Sequence, residues 1–109
     1  MDSMHALDAL AALSQQTRLE AFRLLVRHEP AGLPAGDIAR LLDVPPNTLS
    51  THLGILGRAG LVLSERQGRV IIQRADIDGL RALMLFLAKD CCEGRAELCE
   101  PLLADLACS

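Results

Sequence analysis

The sequence predicts a mainly α fold with one small β-hairpin, in the order α-α-α-α-β-β-α. Three observations lead there. Half of the 109 residues are hydrophobic, yet only Phe22 and Phe86 are aromatic, so Leu and Ala dominate and favour helix. Apolar residues recur at helical spacing up to about Ala59 and again from Asp76. Between these stretches the period changes, and two short β-like runs flank a glycine.

The elements follow in order. Leu7, Leu10 and Leu13 set a first helix over Met4 to Leu13, broken at Ser14 or Gln15. Thr17 opens a second helix that ends near His28, with Glu20 three residues on as a capping-box partner. Leu19, Phe22, Leu25 and Val26 form its apolar side. Pro30, Gly32 and Pro34 make the next stretch a loop. A short third helix spans Ala35 to Leu42, with Ile38, Leu41 and Leu42 inward. Asp43 to Pro46 is a turn, and Pro46 suits the first turn of a fourth helix reaching Ala59. Leu49, Leu53 and Leu56 are its buried stripe, and Gly60 ends it. Leu61–Arg66 and Arg69–Arg74 then read as strands joined by the two-residue connection Gln67–Gly68. From Asp76 a long helix runs to Lys89 or Cys92, with Ile77, Leu80, Met84, Leu87 and Cys91 in one stripe, widened by Leu83 and Phe86. Gly94 ends it, and Ala96 to Ala107 can form a further helical turn or two, interrupted at Pro101.

This length suits one domain. The expected division is residues 1–92 as the main domain and 93–109 as a cysteine-containing tail. The start carries no basic leader, and no stretch approaches the ~18 apolar residues of a membrane span, so a cytoplasmic protein is expected. A net charge of −3 does not advertise nucleic-acid binding, which moves the question to where the arginines lie.

Two short helices joined by a tight turn and followed by a hairpin describe a winged helix-turn-helix, whose second helix enters the major groove. Its N-terminal residues here are Asn47, Thr48, Ser50, Thr51 and His52, polar groups able to bond base edges or phosphates. The wing tip carries Arg66, Gln67 and Arg69, with Arg58 and Arg74 adding charge on the same side. The plainer alternative is that Asn47, Thr48 and Ser50 cap a helix and that the arginines are merely solvated.

The chain resembles the ArsR/SmtB family of metal-responsive transcriptional repressors over roughly residues 6 to 92. The resemblance lies in Asp37-Ile38-Ala39-Arg40-Leu41-Leu42, in Asn47 through Leu56, in Ala59-Gly60-Leu61-Val62 and in the wing Glu65 to Arg69. Leu13 to Leu19 and the pair Leu24-Leu25 also match. It implies a non-enzymatic homodimer built on the first and last helices, which releases an imperfect inverted-repeat operator when a ligand binds. Leu7 and Leu10 with Ile77, Leu80, Leu83, Met84 and Leu87 are the expected dimer interface. The last helix is more apolar than an outer helix should be, which agrees.

The cysteines carry the expected input. All four lie from Cys91 onward. The Cys-x-Cys pair of many arsenic-responsive members would fall at Pro34 and Gly36 and is absent, and no histidine follows His52 to supply the zinc site of other members. Cys91, Cys92 and Cys99 resemble the C-terminal three-thiol site of an arsenite-responsive branch, with Cys108 a fourth candidate. Soft thiolates select thiophilic ions, so As(III) or Sb(III) is the expected effector, with no cofactor needed for folding. A Cd-, Pb- or Zn-responsive site and a thiol redox or sulfide sensor are the alternatives on the same residues. An interaction module that binds no DNA is the alternative of another class. Neither a Cys-x5-Arg phosphate loop nor a Cys-x-x-Cys pair is present to support an enzyme.

Overall fold

The computed structural model describes residues 1–89 together with Pro101 and Asp105. Five helices and three strands follow one another as α1 (Ser3–Leu13), α2 (Gln16–Arg27), β1 (Leu33–Pro34), α3 (Ala35–Leu42), α4 (Pro46–Arg58), β2 (Val62–Gln67), β3 (Val70–Ala75) and α5 (Ile77–Lys89). The strands form one antiparallel sheet in the order β1-β3-β2.

Helix ends are set by local chemistry. The Asp2 carboxylate accepts the His5 amide at 2.9 Å and starts α1. The expected capping box at Thr17 is corrected: α2 begins one residue earlier, with Gln15 as its cap accepting the Arg18 amide at 2.9 Å. Asp43 adopts a left-handed conformation, φ 55°, and the Val44 amide returns to the Ala39 carbonyl at 3.0 Å, closing α3 in a tight turn. Pro46 stands in the first turn of α4 as expected.

The core collects one face of every helix. Leu25, Ile38, Leu49, Leu56 and Leu61 are fully buried, joined by Phe22, Leu53, Val62, Ala75 and Leu83. The predicted α4 stripe of Leu49, Leu53 and Leu56 is buried as expected. Two assignments on other helices are corrected. Helix α2 buries Ala21, Phe22, Leu24 and Leu25, which turns Leu19 and Val26 outward, and α3 leaves Leu41 exposed. Helix α1 packs inward through Ala6, Ala9 and Ala12, so its leucines Leu7 and Leu10 point away from the body. Small side chains permit that close helix approach.

The hairpin is also corrected. Gln67 pairs with Val70, so the two-residue loop is Gly68–Arg69, one position later than expected. Gly68 has φ +65° while Arg69 does not have positive φ, the φ pattern of a type II′ turn, which asks for glycine first. The expected loop at Leu33–Pro34 is instead a third strand, paired with β3 at Leu33↔Gln73 and Pro34↔Ile72. A second glycine is forced where α5 meets the α4 turn, since a Cβ at Gly79 would run into the Gly60 carbonyl.

Candidate nucleic-acid interface

Anchoring Leu49, Leu53 and Leu56 in the core fixes which side of α4 faces out. Asn47, Thr48, Ser50 and Thr51 are all exposed, and Arg58 continues their surface toward the helix C-terminus. The helix cap is Pro45, which makes no side-chain cap hydrogen bond. Asn47, Thr48 and Ser50 are therefore not consumed as caps, which removes the plainer reading of them. Thr51 Oγ1 donates to the Asn47 carbonyl at 3.2 Å, a backbone contact that still leaves its oxygen able to accept.

His52 is placed differently from its neighbours. It is half-buried, and its Nδ1 lies 3.2 Å from an Arg18 guanidinium nitrogen. The same arginine donates from Nε to the Ala12 carbonyl at 2.6 Å. Sequence alone put His52 with the base-reading group; the structure brings it onto the α2 side of the helix.

At the wing, Arg66, Gln67 and Arg69 are all exposed. The Arg66 Nε donates to the Gly68 carbonyl at 3.3 Å, which steadies the tip. Neither Arg66 nor Arg69 nor Arg58 forms an ion pair among the described residues. Arg74 is corrected as a contributor of free charge. Its guanidinium bonds Glu29 twice, from Nε at 3.1 Å and from a terminal nitrogen at 2.8 Å, and reaches Glu65 at 2.6 Å. It pins the wing to the segment after α2 instead. That role needed the fold to be seen, because Glu29 is remote in sequence.

The pair has an electrostatic consequence. Hydrogen bonds from Arg74 hold the Glu29 carboxyl below its ordinary value of 4.5, against some opposing desolvation. The same bonds, to Glu29 first and Glu65 second, raise the Arg74 guanidinium above its ordinary value. A depressed carboxylate stabilises the fold above its unfolded pKa and loses that contribution as pH falls through the folded value. Acid below 4.5 is therefore expected to loosen the wing. Urea midpoints followed downward in pH should fall less steeply for Glu29→Gln than for wild type; parallel curves would show that Glu29 is not a source of the slope.

The leucines expected at a dimer face are placed as follows. Leu7 is 65% exposed, Leu10 40%, Ile77 37%, Met84 39% and Leu87 48%. Leu80 is partly buried against the core. Leu83 is corrected: at 3% exposure it packs within its own chain.

The expectation of a thiolate centre is corrected too. Three donors must converge on one ion, and among the described residues no group of three or more His, Cys, Asp or Glu is placed to hold a metal. Cys91, Cys92, Cys99 and Cys108 lie outside the described residues, as do the redox and Cd, Pb or Zn readings that used them. The arsenite-responsive branch, As(III) or Sb(III) as effector and arsenic-triggered release are withdrawn. The residues that carried the resemblance belong to the scaffold, and a scaffold does not define a ligand. Among the described residues no helix is long and apolar enough to cross a membrane.

A short helix, a tight turn, a second helix with an exposed polar face and a paired hairpin define a winged helix-turn-helix. Comparison with known proteins agrees. A helix-turn-helix domain family matches residues 13–65. No curated protein matches the chain. Among solved structures, an ArsR-like transcriptional regulator from Rhodococcus sp. RHA1 is 29% identical, with 97% of this chain and 95% of that one covered and a TM-score of 0.74. A possible transcriptional regulator for arsenical resistance is 28% identical over 92% of this chain and 97% of its own, with a TM-score of 0.64. The homodimeric winged helix-turn-helix DNA-binding domain of Mb0332 from Mycobacterium bovis, a possible ArsR-family regulator, is 23% identical over 82% and 81%, also at 0.64, and shows the fold. These relatives are described as transcriptional regulators or possible ones, a non-catalytic class, and the chain is not an enzyme.

Proposed function

We propose that the chain is a cytoplasmic DNA-binding transcriptional regulator of ArsR type, acting as a homodimer on an imperfect inverted repeat. The observation that carries this is the outward face of α4. Asn47, Thr48, Ser50 and Thr51 are exposed and free of capping duty, and Arg66 and Arg69, exposed and without an ion pair among the described residues, stand at the wing tip. Asn and the hydroxyls suit base edges in the major groove, while the wing arginines suit phosphates or the minor groove. The net charge of −3 is no obstacle, because charge acts locally and Arg58, Arg66 and Arg69 are exposed and form no ion pair among the described residues.

Dimerisation is supported by the leucines and methionines left outside. Met4 and Leu7 on α1 and Met84, Leu85 and Leu87 on α5 are exposed. A second copy would cover them. The unit for both tasks is residues 1–92. Twofold symmetry would then set the two reading helices about 34–36 Å apart on successive major-groove faces.

The test starts with duplexes selected from a randomised pool by the purified protein. Affinity for the winner is measured by fluorescence anisotropy across a salt series. Wild type should show a linear loss of log affinity with log salt, and Arg69→Ala should reduce that slope by about one per subunit. Recovery of no duplex would leave the non-DNA interaction module as the reading.

A further inference from the structure

We propose that Arg18 is a positioning residue that ties the reading helix α4 to α1 and so sets the angle at which Asn47 and Thr51 meet DNA. The proposal rests on the DNA-reading assignment above.

Arg18 sits in the first turn of α2, where its own amide is held by the Gln15 side chain at 2.9 Å. From there its guanidinium reaches two other helices. Nε donates to the Ala12 carbonyl in the last turn of α1, at 2.6 Å. That carbonyl lies in the last turn, where a helix has no internal donor left and gathers partial negative charge, so a cation fits it. A terminal nitrogen faces His52 Nδ1 on α4 at 3.2 Å. Guanidinium has only donors, so His52 must accept at Nδ1 and carry its proton at Nε2. Arg18 makes no ion pair among the described residues, so its charge is not spent on a carboxylate.

Packing is incomplete on that side, although Ile55 and Ala59 rest against the core. An open cleft of about 310 Å3 lies between α1 and α4, lined by Asp8, Ala11, Arg18, Ile55 and Arg58. Leu49, Leu53 and Leu56 hold α4 along its buried stripe. Apolar contact is non-directional and permits a small roll of the helix about that line. A hydrogen bond is directional and does not. His52 lies one turn beyond Thr48 and beside Thr51, so a roll that broke the Arg18 contact would swing the base-reading side chains with it. The other end of the strut is α1, whose outer leucines form the proposed dimer face. Contact between subunits would thereby be felt at the reading helix.

Two single variants and a rescue test this on the selected duplex. Arg18→Met keeps the aliphatic stem and removes the donors; His52→Leu removes the acceptor. Each should weaken DNA binding about tenfold, and the double variant should be no weaker than either. His52→Asn puts an amide oxygen near the place of Nδ1 and should bind as wild type. Additive losses, or an Asn variant as weak as the Leu variant, would overturn the proposal and make His52 a DNA contact in its own right. A readout that needs no DNA is the imidazole nitrogen spectrum. Wild-type His52 should be the Nε2–H tautomer and lose that preference in Arg18→Met; a proton on Nδ1 in wild type would refute the strut. Failure of wild type to bind any duplex would count against the DNA reading, while the spectrum still decides the Arg18 contact.

Discussion

Replacing Leu7 by glutamate should split the proposed homodimer and lower affinity for the selected duplex by about 10²–10⁴-fold, the avidity that two linked half-sites supply. Leu7 is 65% exposed on α1, so a single subunit loses little packing from the change. In a dimer the carboxylate would be trapped against the apolar outer faces of α1 and α5, where an unpaired charge is costly. Sedimentation equilibrium and anisotropy on the same samples check both halves. A variant that remains dimeric would place the interface elsewhere. A monomer that binds the full site as tightly as wild type would show that two reading helices are not needed.

Leu56→Ala acts on the fold instead. Leu56 is completely buried on α4 and packs in the core shared with Leu25, Ile38 and Leu61. Truncation should cost about 2–5 kcal/mol, a large part of a typical domain stability of about 5–15 kcal/mol. Urea denaturation followed by circular dichroism gives the value. A loss below about 1 kcal/mol would mean that the site collapses around the missing atoms, or that Leu56 is not central to the core. The variant also separates folding from reading, since its folded fraction keeps every exposed residue of α4 and the wing.

The parts of this molecule that were legible in its sequence are those governed by local rules. Helices α3 and α4 came through the period of Ile38, Leu49, Leu53 and Leu56 and the prolines before α4. The hairpin is legible as a glycine between two strand-like runs, but its loop lies one residue later than the sequence suggests. Both Gln67–Gly68 and Gly68–Arg69 offer a glycine, and only the pairing of Val62 with Ala75 and Gln67 with Val70 decides between them. Strand β1 has two residues and no periodicity to read; it exists because β3 presents an edge beside it.

The candidate interface divides in the same way. Asn47, Thr48, Ser50 and Thr51 were legible because a helix with one buried stripe must expose the rest. His52 and Arg74 were not, although their chemistry is what made them attractive. Each is a polar group with a partner far along the chain, Arg18 for one and Glu29 for the other, and such pairings are invisible without the fold. Leucine spacing in α1 marks the helix but not its inner face, which is taken by the alanines Ala6, Ala9 and Ala12 and leaves Leu7 and Leu10 outside. The cysteines show the opposite hazard. A cluster in sequence, joined to a resemblance of scaffold, pointed to a metal centre that no group of side chains among the described residues supports.

The central claim is that the exposed N-terminal face of α4 reads base pairs, and Asn47→Ala tests it most directly. Duplexes carrying every single base change in the selected site are titrated with wild type and variant at one salt concentration. The variant should bind the best site more weakly by about 1–3 kcal/mol and lose its preference at one base pair in each half-site, with the salt slope unchanged. An Asn47→Ala protein with the same preference as wild type at every position would contradict the account.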